Sequence, residues 1–103
     1  MNDIQLIERL TQARGASGFE DEVLAIAREY CGDFCDFEED SMRNLYIRPR
    51  FNKGNRPYIL LDAHSDEVGF MVQAIKPDGT LRFIPIGGWN EKACLLYTSP
   101  SPR

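Results

Sequence analysis

The chain has 103 residues, 43% hydrophobic and 27% charged, with one histidine and a net charge of −4. That is enough for one small globular domain. The acidic balance without a Lys/Arg cluster excludes nucleic acid as a partner, and no apolar run nears the roughly 20 residues that cross a bilayer. The opening "MNDIQLIERL" is acidic and amphipathic, unlike a signal peptide, so the expected location is the cytoplasm.

Residues 3–13 read as a helix, with Ile4, Ile7 and Leu10/Thr11 on one face, Leu6 beside them, Asp3 as N-cap and Gly15 as stop. Ser17 and Glu20 have the spacing of a capping box. The helix they open, about 18–31, is expected to bury Val23, Ile26, Ala27 and Tyr30 and to stop at Gly32. Residues 34–38 form a short strand with Cys35 and Phe37 on one face. Residues 44–50 alternate Leu45 and Ile47 against Tyr46 and Arg48, a half-exposed strand, and 52–55 turn. "YILLDA" (58–63) is apolar on consecutive positions, which predicts a central strand buried on both faces. Two further strands, 67–75 and 80–86, flank the tight turn "KPDG", where Pro77 suits the second position and Gly79 a left-handed one. "IGGW" (86–89) lets the backbone bend sharply. Cys31 and Cys35, spaced C-x-x-x-C, match neither a zinc knuckle nor a redox pair and read as free thiols.

The last ten residues, "CLLYTSPSPR" (94–103), break with the patterned strands before them. They resemble the translation of the DNA adapter used in transposase-based sequencing libraries, so they are expected to be a non-native tail, with the natural sequence cut at Ala93. Without them the chain loses one of its 12 basic groups and none of its 16 acidic ones, and the net charge becomes −5. Helices followed by strands, with a doubly buried strand among them, indicate an α/β layered domain, one that looks truncated because two helices cannot cover both faces of its sheet.

Chemistry concentrates after the buried strand. Ligands in α/β sheets sit beyond the carboxyl ends of strands, and His64 lies there. Residues i and i+2 of an extended chain face one way, so Asp62, His64 and Asp66 share a side if the chain stays extended. A neutral imidazole can bind a divalent metal, and a carboxylate two residues away can fix its tautomer. Glu67 would face the other way, against a glycosidase pair with Asp66. A lone His between acids at a strand end is also an ordinary surface residue, and H-x-D by itself leaves both readings open.

"LDAHSDEVGFMVQAIKPDGTLRFIPIGGW" (61–89) resembles the TET-type metalloaminopeptidases, peptidase family M forty-two, which includes glutamyl and deblocking aminopeptidases. An apolar strand, A-H-x-D-E-V-G-F-M-V, G-x-L-R-F and P-I-G-G-W follow one another in the family's order, and "GASGFEDEV" (15–23) and "NLYIRP" (44–49) are similar to its early segments. The resemblance covers residues 4–93. It implies an α/β fold, the N-terminal part of a zinc-exopeptidase-type layered α/β/α domain, with 1–67 in the catalytic domain and 68–93 leading into an inserted β-barrel-like assembly domain. It implies a hydrolase that removes N-terminal residues from peptides with two divalent metal ions, zinc or cobalt. His64 is then a metal ligand and Asp66 the catalytic-site acid that orients the imidazole. The remaining ligands and the glutamate base lie beyond Ala93 in family members, which implies an inactive fragment here. The implied partners are peptide substrates and, in the full-length form, further copies of itself in the family's dodecamer, with no membrane. Two alternatives remain: a related co-catalytic zinc exopeptidase or deacylase, and a small non-catalytic α/β interaction module whose 67–86 hairpin offers an edge strand.

Overall fold

Asn2 opens the first helix. In a computed structural model describing residues 1–55 and 57–89, its backbone is extended and its Oδ1 accepts from the Gln5 amide at 2.8 Å, while the Gln5 side chain accepts from the Asn2 amide at 3.1 Å. This reciprocal box satisfies two helix-end donors at once, so the cap falls one residue before Asp3. Asp3 instead occupies the first turn of α1 (Asp3–Gln12), where its charge suits the positive end of the helix. The helix ends at Ala13, whose extended ψ of 143° breaks the helical path before Gly15 is reached. The face expected to be buried is not: Ile4 and Ile7 are 78% and 61% exposed, and Leu6 is the half-buried one.

The Ser17 box does not form. Gly18 takes a φ of +87° and its amide donates to Glu20 Oε1 at 2.8 Å, so that carboxylate is already engaged when the helix begins. α2 (Asp21–Cys31) therefore starts with Glu20 as an N-cap lacking a side-chain bond. Its buried residues are Leu24 and Ile26; Val23 and Ala27 are half-buried and Tyr30 is exposed. Tyr30 is drawn outward because its hydroxyl donates to Asp3 of α1 at 3.1 Å. The same two helices share a two-pronged ion pair, Arg9 to Glu29 at 2.7 Å on each arm, and that guanidinium holds the Glu29 carboxyl below the usual carboxylate range. Pairs this exposed are screened by solvent and contribute little each. Gly32 caps α2 as expected, and a 3-10 turn, Gly32–Phe34, leads into β1 (Cys35–Glu39).

β1 pairs antiparallel with β2 (Leu45–Pro49), placing Phe37 opposite Ile47. The Asp40 carboxylate organises their connection, accepting from the Met42 and Asn44 amides, the Asn44 side chain and the Tyr46 hydroxyl. Asn44 is the main reason the Asp40 carboxyl lies below its ordinary value. Arg28 sits 5.4 Å from the Phe37 ring centroid and pairs with Glu39 at 2.8 Å, joining α2 to the hairpin. Among the described residues the buried apolar side chains are Ala13, Leu24, Ile26 and Cys35.

Residues 58–63 depart most from expectation. They carry no strand assignment, and Tyr58, Ile59, Leu60 and Leu61 are 75–91% exposed. A strand apolar on both faces needs a neighbour at each edge and a layer over each face. The sheets formed by the described residues have two strands each and neither includes this segment.

The chain divides into two units, Met1–Asp66 and the part from Glu67 onward. In the second, β3 (Gly69–Ile75) pairs antiparallel with β4 (Leu81–Ile86), with a register irregularity between Val72 and Ala74. The turn behaves as its sequence demands: Gly79 has φ +83° and donates to the Lys76 carbonyl, while Asp78 Oδ1 accepts from both the amide and the hydroxyl of Thr80. At the far end Trp89 stacks on Phe70 with centroids 4.5 Å apart, its indole N–H donates to the Gly69 carbonyl at 3.0 Å, and Phe70 meets Phe83 edge-on at 4.6 Å. Gly87 makes that return possible: its φ is +84°, and a Cβ there would lie 2.9 Å from Val68 Cγ1. The expected tail, 94–103, and the end of the 68–93 segment lie outside the described residues, as does Cys94.

Gly87→Ala is expected to destabilise this second unit by about 1–3 kcal/mol, the usual cost of a non-glycine in a left-handed conformation. Trp89 is the single tryptophan, so its fluorescence in a urea titration reports the unit directly; an unchanged midpoint would contradict the packing of Gly87 on Val68.

Candidate functional site

His64 follows the extended apolar segment in the first unit. Its side chain is 86% exposed, and its Nδ1 lies 3.0 Å from the Asp66 carbonyl oxygen and 3.3 Å from Asp66 Oδ1. A carbonyl oxygen can only accept, so the contact is favourable when Nδ1 carries the proton. In the neutral ring Nε2 then holds the lone pair and points away from this contact. The expected pairing of His64 with Asp66 is thus present, and the main-chain carbonyl is the nearer acceptor, a partner that H-x-D spacing does not reveal. Asp62, expected on the same side, makes no hydrogen bond or ion pair to His64.

A tetrahedral zinc site needs three or four protein donors. Among the described residues, no three His, Cys, Asp or Glu side chains come together as a metal-holding group. His64 offers one nitrogen and Asp66 at most one carboxylate, so the described residues fit one corner of a metal centre and not the whole. No hydrolytic step can be assigned to them alone.

Neighbouring glycines and aromatics contribute differently. "GFMV" and "GGW" hold no titratable side chain; in the second unit they shape the β3–β4 hairpin through Gly87, Phe70 and Trp89. Their motif value is structural, a bend and its aromatic lock.

Comparison with known proteins gives the family. A family profile described as M42 glutamyl aminopeptidase matches residues 44–97, a span that includes His64, Asp66 and the whole hairpin. This defines a class of peptidases. The chain belongs to the M42 glutamyl aminopeptidase family. It is 38% identical over 85 residues to a glutamyl aminopeptidase of Lactococcus lactis subsp. cremoris, covering 82% of this chain and 24% of that protein. It is 32% identical over 93 residues to a lysyl aminopeptidase of Pyrococcus furiosus, covering 85% and 25%. Among solved structures, the TET aminopeptidase of a marine sediment Thaumarchaeota archaeon superposes with a TM-score of 0.74 at 40% identity, over 86% of this chain and 25% of that one. The chain spans about a quarter of the length of these relatives. The α/β class expected from the sequence is the class of this neighbour. No helix among the described residues is long and apolar enough to cross a membrane.

The neutral His64 ring is expected to favour the Nδ1–H tautomer more than free histidine does. As the chain has one histidine, its imidazole nitrogen shifts are read without ambiguity by NMR. Truncating Asp66 to alanine should weaken the preference without abolishing it, since the carbonyl remains. A dominant Nε2–H form in the unaltered chain would contradict the contact.

Proposed function

We propose that this chain is the N-terminal segment of a cytoplasmic, metal-dependent aminopeptidase. In the complete protein, His64 supplies a ligand to a centre of two divalent ions, zinc or cobalt, and Asp66 positions the ring. The observation that carries this reading is the His64–Asp66 contact within a segment matched by the family. It occupies one ring nitrogen and leaves the other available, which is how metal-binding histidines are commonly oriented. When bound, the metals would supply an acidified water and a polarised peptide carbonyl. The residues of this chain do the positioning: His64 presents its nitrogen and Asp66 sets the ring.

The names of the relatives, two of which are glutamyl and lysyl aminopeptidases, support peptides as the substrates of the complete protein. The domain reading accompanies this proposal: 1–67 contributes to the catalytic domain, and 68–93 starts an inserted β domain through which complete subunits assemble as a homo-oligomer. Residues 94–103 are a foreign tail.

The 103-residue chain is expected to release no N-terminal residues from a panel of aminoacyl anilides with zinc or cobalt present; clear metal-dependent turnover would sink the proposal of an incomplete centre. In a longer chain continuing the natural reading frame, His64→Ala should abolish activity, and Asp66→Ala should reduce it about 10–100-fold, the usual loss when a ligand-orienting partner is removed. Full activity of the His64→Ala enzyme would remove His64 from the metal centre.

A further inference from the structure

The turn between β3 and β4 carries a pair of residues that can react with each other. Asp78 is the one aspartate followed by a glycine, and no asparagine is. The Gly79 nitrogen can attack the Asp78 side-chain carboxyl carbon to close a succinimide ring, and glycine puts no side chain in the way. Both reactants are neighbours in one chain, which replaces a search by a local encounter. Beyond its chain neighbours, nothing stands within 4 Å of where a Gly79 side chain would lie. Asp78 is exposed, so water has access.

The folded turn holds both reactants back. The Gly79 amide is committed to the Lys76 carbonyl at 3.0 Å, and a left-handed φ of +83° keeps it there. Asp78 Oδ1 reaches past Gly79 to accept from the Thr80 amide at 3.0 Å and from the Thr80 hydroxyl at 2.7 Å. These two bonds, the amide's first, hold the Asp78 carboxyl below its ordinary value. An ionised carboxylate has no hydroxyl to lose as water, so the same clasp that turns the side chain away also keeps it in its less reactive form.

We propose that Asp78–Gly79 is a self-modification site that forms isoaspartate through a succinimide, at a rate set by opening of the Asp78–Thr80 clasp. In the first step the bond from the Gly79 nitrogen to the Asp78 Cγ forms, and the amide proton leaves with the carboxyl hydroxyl as one water. In the second step one water adds back to a succinimide carbonyl. Breaking the new bond restores aspartate; breaking the original peptide bond leaves the backbone running through the side chain, as isoaspartate. No atom is gained or lost overall, and no oxidant or cofactor is needed. The product carries one extra backbone methylene in the turn 77–79. That would displace the closure in which the Lys76 amide donates to the Thr80 carbonyl at 2.9 Å, and with it the adjacent Ile75–Leu81 pair of the ladder.

The test is prolonged warm incubation of the full 103-residue chain at neutral pH, native and in guanidinium chloride, followed by digestion on the amino side of aspartate. Isoaspartate resists that cut, so cleavage before Asp78 should fall while cleavage before Asp62 and Asp66 continues. Isoaspartyl methyltransferase should label the uncut peptide. The unfolded chain should lose the Asp78 cut about tenfold or more faster than the native one, since the native turn reacts only when it opens. Thr80→Val, which removes the hydroxyl and keeps the side-chain shape, should speed the native reaction several-fold and leave the unfolded one unchanged. Equal rates in native and unfolded chains, no loss of the cut in either, or lost cleavage that the methyltransferase does not label would each overturn the proposal. So would a Thr80→Val effect that is missing in the native chain or equally large in the unfolded one.

Discussion

The constraint on which the rest depends is the cover that an apolar strand requires. Ile59 and Leu61 are 90% and 91% exposed, and Tyr58 and Leu60 are little less so. In water such a run is costly, because it leaves hydrophobic surface hydrated and backbone donors without ladder partners. On the proposed reading, a larger sheet in the complete protein covers it. His64 follows directly, so the setting of the candidate site depends on what covers this strand. The elements that do form are those able to close locally: α1 through Asn2 and Gln5, the first hairpin through Asp40, the second through Gly79 and Asp78. Between elements of the first unit, the links are largely exposed polar contacts such as Arg9–Glu29 and Tyr30–Asp3, with a small core around Leu24 and Ile26.

Much of this was legible in the sequence because it is local. Gly32 as a helix stop, "KPDG" as a hairpin turn and "GGW" as a bend all follow from backbone preferences that act over a few residues. Cap identity was less legible because neighbouring side chains compete. Asn2 with Gln5 outdoes Asp3, and Gly18 captures the Glu20 carboxylate before Ser17 can use it. The buried faces were misplaced for another reason: periodicity marks which side chains are apolar, and only packing determines which find cover. Ile4 and Ile7 therefore stand exposed while Leu24 is enclosed. Residues 58–63 show the same effect at full strength.

At the candidate site, the H-x-D spacing anticipated the His64–Asp66 contact, since residues two apart along an extended segment can meet. The Asp66 carbonyl was invisible to that reasoning because every residue has one and only the fold selects which is near.

The central claim of the proposed function is that 58–63 is a core strand without its neighbours, carrying His64 toward a centre completed in the full-length protein. Amide hydrogen exchange at Leu60 and Leu61 tests it most directly, compared between this 103-residue chain and a longer chain continuing the same reading frame. The account predicts exchange near the unstructured rate in the short chain and strong protection in the long one. Protection already present in the short chain, or absent from both, would contradict it.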